Sequence, residues 1–191
     1  MIKLIIGLGN PGRQYERNRH NLGWLALNEF KEAHAPDVQW KAHSKANAEF
    51  CEIWMNEQKV LLLKPLTYMN NSGKAVQDAM QFHKIEASEI LVLHDEIDLE
   101  FGRLKITEQA GPAGNNGIKS IIKFLGSNAF LRLRLGVKTK KLNRMPTDKF
   151  VLQNFGLFEK GKVKKWLPNI VEAIQCLLSE DAVKCMNKYH S

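Results

Sequence analysis

In the stretch LIIGLGNPG, residues 4–12, an apolar run leads into a glycine-rich turn. Gly7, Gly9 and Gly12 spell G-x-G-x-x-G directly after that run. This is the outline of a dinucleotide-binding loop, in which a strand, a tight turn and a helix N-terminus hold a pyrophosphate. The same letters also suit an ordinary turn, because glycine supplies unusual dihedral angles and proline fixes φ. Both interpretations begin with a buried strand.

The residues after the turn argue against a dinucleotide. A Rossmann loop leads straight into an amphipathic helix, but RQYERNRH, residues 13–20, contains one apolar residue in eight. Helical periodicity begins only at Leu22. The acidic residue that would hold a ribose hydroxyl should end a second strand, whereas Glu29 and Glu32 lie inside the helical pattern. The turn therefore serves another purpose, which must also account for Asn10 and for the pair His20-Asn21 at the mouth of the helix.

Along the rest of the chain, strand patterns alternate with helical patterns. Strand patterns occupy residues 2–6, 47–55, 58–64, 89–94, 103–107 and 131–137, and helical patterns cover about 21–33, 72–84, 117–126, 159–180 and 181–189. Asn71-Ser72 should cap the second helix, and Pro168 should kink or restart the long fourth one. The pattern predicts an α/β protein, a single-domain three-layer sandwich over residues 1–191 with a mixed, twisted central sheet.

Length and composition limit the class of protein. A chain of 191 residues with 44% hydrophobic content suits one domain, and no run approaches the ~18 apolar residues of a membrane span. MIKLIIG begins the first strand directly, so we expect no signal peptide and a cytoplasmic location. Cys51, Cys176 and Cys185 lack C-x-x-C spacing, which predicts free thiols in a reducing cytosol, with neither zinc nor disulfides.

The net charge of +8 is concentrated in one segment. Lys and Arg balance Asp and Glu in residues 1–131, 15 against 15, whereas residues 132–165 hold 11 basic residues against two acidic ones. A basic stripe this dense favours a polyanionic partner such as nucleic acid, although a solvated loop and helix face remains open as an alternative.

Polar side chains follow the predicted strands, where open α/β sheets build their sites. They are Asn10, Tyr68-Met69-Asn70, Asp95 and Asn115-Asn116. One imidazole, one carboxylate and several amides suit hydrolysis by water, because the carboxylate can orient the imidazole and the amides can donate to an oxyanion. His20 is the best candidate base, since it lies in a polar loop at a helix mouth. Structural roles are expected for the other histidines: His34, His43, His83, His94 and His190.

Five blocks of the chain together resemble the bacterial peptidyl-tRNA hydrolase family. In order they are GLGNPGRQYERNRHNLG, KPLTYMNNSGKAV, HDEIDLEFGRLKI, GNNGIKSI and RLRLGV, and they span most of residues 1–137. FVLQNF and CMNKYH, nearer the C-terminus, are also similar to that family. On this resemblance the glycine turn holds Asn10 and His20 at a hydrolytic site.

The resemblance implies cleavage of the ester between a peptide and the 3′-terminal ribose of tRNA, which recycles prematurely released peptidyl-tRNA. His20 would be the general base and Asp95 its orienting partner. Asn10, Tyr68, Met69, Asn70 and Asn116 would position the peptide, the water or the oxyanion. Tyr15, Lys105 and Arg134 would contact the tRNA near its acceptor stem and 3′ end. No cofactor, metal or membrane is expected, and the protein should be monomeric.

The chain departs from the family pattern in the loop before Asn116. Family members usually carry Gly-His-Asn-Gly there, whereas this chain has Asn115 in place of the histidine, and Pro112 should stiffen the loop. Glu100-Phe101 stands where a proline-containing turn is usual. We hypothesise that position 115 positions substrate and that Asn116 faces the developing negative charge.

Two other classes of protein remain as alternatives. A non-catalytic RNA-binding protein would need the basic stripe but not the whole polar set, and the presence of Asn10, His20, Asn70, Asp95 and Asn116 weighs against it. A dinucleotide oxidoreductase would need only the glycine turn.

Overall fold

Seven strands form one mixed sheet in the computed structural model, which describes residues 1–189. They are β1 (Leu4–Gly7), β2 (Lys41–Ala42), β3 (Ala48–Met55), β4 (Gln58–Pro65), β5 (Ile90–Glu100), β6 (Leu104–Glu108) and β7 (Leu131–Lys138). Their order in the sheet is β2-β3-β4-β1-β5-β7-β6. The pairs around β1 and β5 are parallel, and the outer pairs are antiparallel. His190, one of the histidines expected to be structural, lies outside the described residues.

Helices cover both faces of this sheet. They are α1 (Leu22–His34), α2 (Ser72–His83), α3 (Asn116–Leu125), α4 (Thr147–Val151), α5 (Leu157–Ser179) and α6 (Ala182–Tyr189). One apolar core lies between the sheet and α1 and α5, with Phe30, Leu93 and Trp166 among its members. A second core, including Ile6 and Val76, lies on the α2 and α3 face. The predicted three-layer α/β sandwich is therefore confirmed.

α5 continues through Pro168, so the helix does not restart there, and its apolar residues on both sides of the proline, Val163 and Ile170 among them, are buried against the core. A kink at Pro168, the other expectation, stays a prediction. Two further predictions about the helices and strands need correction. Asn71 precedes α2 but its side chain makes no capping bond, since a 3₁₀ turn at Met69–Asn71 runs directly into the helix. β5 extends to Glu100 rather than ending at 94, so Asp95 lies within the strand.

The cysteine prediction is wrong for two of the three residues. Cys176 on α5 and Cys185 on α6 form a disulfide, because the turn between these helices brings their Cα atoms to 6.0 Å. Cys51 is a free thiol, as predicted, and burial raises its pKa to about 11. A thiol with so high a pKa is a poor nucleophile at neutral pH.

No helix within residues 1–189 combines the length and the apolar composition that crossing a bilayer requires.

Glycine at position 23 sets the distance between α1 and the sheet. A Cβ atom on Gly23 would lie 2.4 Å from the carbonyl oxygen of Leu93 and 2.6 Å from the backbone nitrogen of Leu8. Both neighbours are backbone atoms, one in β5 and one in the residue that follows β1, and they cannot move aside alone. The first turn of α1, which carries the residues after His20, can therefore approach β1 and β5 only because position 23 has no side chain.

We predict that Gly23→Ala lowers the free energy of unfolding by about 2–3 kcal/mol through overpacking. Gly161→Ala is the matched control, since Gly161 lies in α5 and a Cβ there meets no atom within 4 Å. The control should be stabilised by about 0.5–1 kcal/mol, because alanine is the better helix former. Urea unfolding followed by circular dichroism measures both, and a similar change in the two variants would contradict the close approach.

Candidate active site

A buried pair of side chains joins the turn before α1 to the strand β5. His20 lies in the 3₁₀ turn Arg19–Asn21 that enters α1, and Asp95 lies in β5. The ring Nδ1 of His20 is 2.8 Å from Asp95 Oδ1 and 3.0 Å from Oδ2. Because a carboxylate can only accept, Nδ1 carries the hydrogen and Nε2 of the neutral ring holds a lone pair.

Two opposing effects set the pKa of His20. Burial lowers it, because the charged imidazolium is poorly solvated there, whereas the charge of Asp95 and its hydrogen bond to the ring raise it. The net result is a pKa above the ordinary value of 6.5. Asp95 therefore stabilises the imidazolium while holding the neutral ring in one tautomer.

The side chain of Asn115 links Asp95 to the start of α3. Its Oδ1 accepts hydrogen bonds from the backbone nitrogens of Gly117 at 3.0 Å and Ile118 at 3.1 Å, which caps the helix. Its Nδ2 donates to Asp95 Oδ1 at 3.1 Å and to the Asp95 carbonyl oxygen at 3.3 Å. With the whole amide engaged in a buried position, Asn115 holds the Asp95 side chain against the start of α3. Asn115 also lines the cleft described below, and a role for position 115 in positioning substrate stays a prediction.

Asn10 is held by two neighbouring loops. Its backbone N–H donates to Asn21 Oδ1 at 2.9 Å, and its backbone carbonyl accepts from Asn21 Nδ2 at 2.9 Å. Its own Oδ1 accepts from the backbone nitrogen of Met69 at 2.8 Å. This bond orients the amide and leaves Nδ2 of Asn10 as a donor without a protein partner in the described chain.

A cleft of about 220 Å³ opens beside the His20–Asp95 pair. The short helix α4 forms one wall and the loop before α3 forms the other. Sequence reasoning missed the α4 wall, because five residues are too few for a helical period to be visible. The lining residues are His20, Asp95, Glu96, Ile97, Ala113, Gly114, Asn115, Asn116, Thr147, Asp148 and Val151.

The other predicted peptide-binding residues lie on the loop after β4. Met69 is buried, and a Cβ on Gly117 would lie 2.5 Å from its sulfur, so this loop packs tightly on the start of α3. Asn70 and Tyr68 are exposed. The Tyr68 ring meets the ring of Tyr15 edge to face, with 6.4 Å between centroids. Tyr15 and Tyr68 are thus adjacent, whereas Asn70 and Tyr68 are not among the residues that line the cleft.

Comparison with known proteins decides the family. The family model described as peptidyl-tRNA hydrolase matches residues 4–191. The chain belongs to the peptidyl-tRNA hydrolase family. A curated peptidyl-tRNA hydrolase of Symbiobacterium thermophilum is 42% identical over 192 residues, covering all of both chains. One from Clostridium perfringens is 40% identical and covers 98% of this chain and 96% of its own length. A crystal structure of peptidyl-tRNA hydrolase from Acinetobacter baumannii matches with a TM-score of 0.89 at 29% identity, covering all of this chain and 95% of its own.

The two basic residues that the family pattern singles out lie side by side in the sheet. Lys105 on β6 pairs in register with Arg134 on β7. Lys105 is exposed, whereas Arg134 donates from Nε at 2.9 Å and Nη2 at 2.8 Å to Glu96 Oε2. Sequence reasoning missed Glu96, a buried carboxylate of the cleft, because nothing in the motif distinguishes it from its neighbours. Replacing Arg134 would leave the Glu96 carboxylate unpaired. A substitution at the exposed Lys105 therefore tests RNA contact without disturbing the cleft.

Part of the basic stripe is internal. Arg132 is buried, and its guanidinium donates to the carbonyl oxygens of Gly111 at 2.7 Å and of Ala110. These bonds hold the loop that forms one wall of the cleft. Counting charges along the sequence could not separate this arginine from the surface lysines that follow it.

Arg19 ties the turn that carries His20 to the helices α4 and α5. Its buried guanidinium donates to both carboxylate oxygens of Glu159 at 2.8 and 2.9 Å and lies 4.4 Å from the ring centroid of Phe150. It also donates to the carbonyl oxygens of Phe150 and Gln153. The neighbouring residue His20 is thereby held against α4 and α5 as well as against β5.

The remaining histidines within residues 1–189 make other contacts. Burial lowers the pKa of His94 to about 4, and its ring Nδ1 donates to the Asp95 carbonyl oxygen at 2.8 Å. His43 accepts backbone N–H groups at Nδ1 and faces His83 with 3.1 Å between their Nε2 atoms. Neither arrangement leaves a basic nitrogen facing the cleft.

We predict that Asn115→Ala lowers the free energy of unfolding by about 1–3 kcal/mol, because it removes a helix cap and a donor to a buried carboxylate. Asn71→Ala is the matched control, since Asn71 occupies the same position before α2 without a capping bond. The control should change by less than about 0.5 kcal/mol. Urea denaturation measures both variants, and equal losses would show that the amide of Asn115 has no special role.

Proposed function

We propose that this chain hydrolyses peptidyl-tRNA at the ester between the peptide and the 3′-terminal ribose, with His20 as general base. Membership of the family supports the substrate. The observation that carries the mechanism is the orientation of one ring: His20 gives Nδ1–H to buried Asp95, and its Nε2 lone pair is free at the cleft. A base held in this way can take a proton from water at the moment when that water attacks the ester.

Asp95 supports this step in two ways. It fixes the tautomer, so that Nε2 rather than Nδ1 is the basic atom, and it stabilises the imidazolium as the proton arrives. The raised pKa has a consequence for pH dependence. Below that pKa the ring is already protonated and cannot accept a proton, so turnover should rise with pH and level off above it.

Two amides supply donors, one for the developing oxyanion and one for the peptide. Asn116 lines the cleft at the first residue of α3, where the helix dipole also favours negative charge, while the Gly117 and Ile118 N–H groups are already bonded to Asn115. Asn10 is not among the residues that line the cleft, but it offers an Nδ2 without a partner in residues 1–189, oriented by the bond from Met69 to its Oδ1. We assign the oxyanion to Asn116 and the peptide to Asn10, Tyr68, Met69 and Asn70.

The tRNA would place its 3′ end in the cleft and its acceptor stem across the neighbouring basic surface. Lys105 is exposed for a phosphate contact, and Arg134 retains Nη1 beyond its pair with Glu96. Tyr15, packed on Tyr68, would contact the RNA close to the ester. In this proposal the protein acts as a monomer in the cytoplasm, where it rescues prematurely released peptidyl-tRNA, and uses neither a metal nor a cofactor.

Steady-state kinetics of His20→Ala on an N-acetylated aminoacyl-tRNA tests the mechanism. We expect kcat to fall by about 10²–10⁴ with KM nearly unchanged, because only the proton-transfer step is lost. His34→Ala is the matched control: His34 lies at the far end of α1, the helix that follows the His20 turn, and its replacement should leave kcat unaltered.

The same assay separates the alternatives. A wild-type chain that binds the substrate without hydrolysing it would be an RNA-binding module. A His20→Ala variant that keeps more than half of the wild-type kcat would remove His20 from the mechanism while leaving the reaction itself established.

A further inference from the structure

The first turn of α5 presents two large apolar side chains to solvent. Leu157 is 82% exposed and Phe158 is 88% exposed. Phe158 borders a groove of about 310 Å³, which we call the Phe158 groove. Its lining residues are Glu100, Phe101, Lys138, Thr139, Lys140, Phe158, Glu159 and Lys162. It shares no lining residue with the catalytic cleft.

Around the Phe158 groove the acidic side chains form ion pairs, whereas two of the lysines do not. Glu159 is neutralised by the buried Arg19 and by Lys141 at 3.4 Å, and Glu100 lies 3.8 Å from Lys138. Lys140 and Lys162 have no ion pair within residues 1–189. The carboxylates are therefore already paired, while two ammonium groups beside an exposed ring are free to bind an anion.

Exposure of an aromatic ring does not by itself indicate a binding site, as a second exposed aromatic residue shows. Trp54 on β3 is 69% exposed at the other end of the sheet. It lies opposite Lys59 in the sheet, but Lys59 is bound to Glu52 at 3.0 Å. Of these two exposed aromatic rings, only Phe158 lies among unpaired lysines.

We propose that the Phe158 groove binds unpaired nucleotides of the RNA, with a base stacked on the Phe158 ring and phosphates on Lys140 and Lys162. An exposed aromatic ring flanked by cations is the combination that binds single-stranded nucleic acid without reading its sequence. The inference rests on the proposed function only for the source of the RNA. It assigns a contact surface separate from Lys105 and Arg134.

The position of the groove fits RNA that leaves the catalytic cleft. Asp95 lines the cleft and Glu100 lines the groove, five residues further along β5. The pairing of β5 with β7 is irregular between Glu96 and Glu100, so the length of an extended chain sets only an upper limit of about 18 Å on this separation. A few unpaired nucleotides, spaced about 3.4 Å apart when stacked, cover a distance of this order.

Fluorescence anisotropy with two RNA hairpins of equal charge, one blunt and one with an unpaired 3′ overhang, tests the contact. Wild type should bind the overhang hairpin more tightly. Phe158→Ala should weaken that binding by about tenfold and abolish the preference, within the range measured for loss of one stacked base. Phe158→Trp should retain the preference, and Trp54→Ala, the matched control, should behave as wild type.

Kinetics separate this proposal from the proposed function. Phe158→Ala should raise KM for peptidyl-tRNA and leave hydrolysis of a peptidyl-adenosine ester unchanged, whereas loss of His20 should impair both. If the wild-type protein hydrolysed neither substrate, the proposed function would be wrong. The anisotropy measurement would still test whether the Phe158 groove binds RNA. Unchanged overhang binding by Phe158→Ala would overturn the groove proposal. The groove proposal would also be overturned if sedimentation showed that the wild-type protein is a dimer and that Phe158→Ala is not. The Phe158 ring would then lie in an interface between two copies of the chain.

Discussion

The hydrogen bond between His20 and Asp95 is the constraint on which the rest of the site depends. It joins residues 75 positions apart and is buried on both sides, so neither group can rely on water for solvation. A buried carboxylate needs charged or hydrogen-bonding partners. The chain supplies them to Asp95 on β5 from two other elements: the turn before α1 and the start of α3. The three elements meet beside the end of β1, where β5 continues past its neighbour.

Each of these elements is held in place by a packing contact, an ion pair or a helix cap that takes no part in the proposed reaction. The absence of a side chain at Gly23 lets α1 approach β1 and β5. The bidentate pair of Arg19 with Glu159 ties the His20 turn to α5, and the cap from Asn115 ties α3 to Asp95. The asparagine at position 115, where the resemblance implied a histidine, thus makes two structural contacts at once. An asparagine amide can cap a helix and donate to a neighbouring carboxylate at the same time.

Much of this arrangement follows from local patterns in the sequence. Apolar runs and glycine turns predicted the strands, and polar residues after those strands predicted which loops would meet. The glycine turn at residues 7–12 carries Asn10, as the motif indicated, but the bonds that orient Asn10 come from Asn21 and from Met69, 59 positions away. Contacts that depend on tertiary approach were not predictable: the pairing of Arg134 with Glu96, the burial of Arg132 and the disulfide between Cys176 and Cys185. A basic residue in a sequence gives no indication of whether its charge faces solvent or an internal carboxylate.

The role of Asp95 as the partner of His20 is tested most directly by a ¹⁵N NMR titration of the His20 ring in the free enzyme, assigned by comparison with His20→Ala. We predict that the neutral ring carries its proton on Nδ1, leaves Nε2 unprotonated, and titrates with a pKa above 6.5. In Asp95→Asn the contribution that raises the pKa is lost and burial remains, so the midpoint should fall below 6.5. A proton on Nε2, or a midpoint that Asp95→Asn leaves unchanged, would contradict the assignment of Asp95 as the group that holds His20 ready to act as a base.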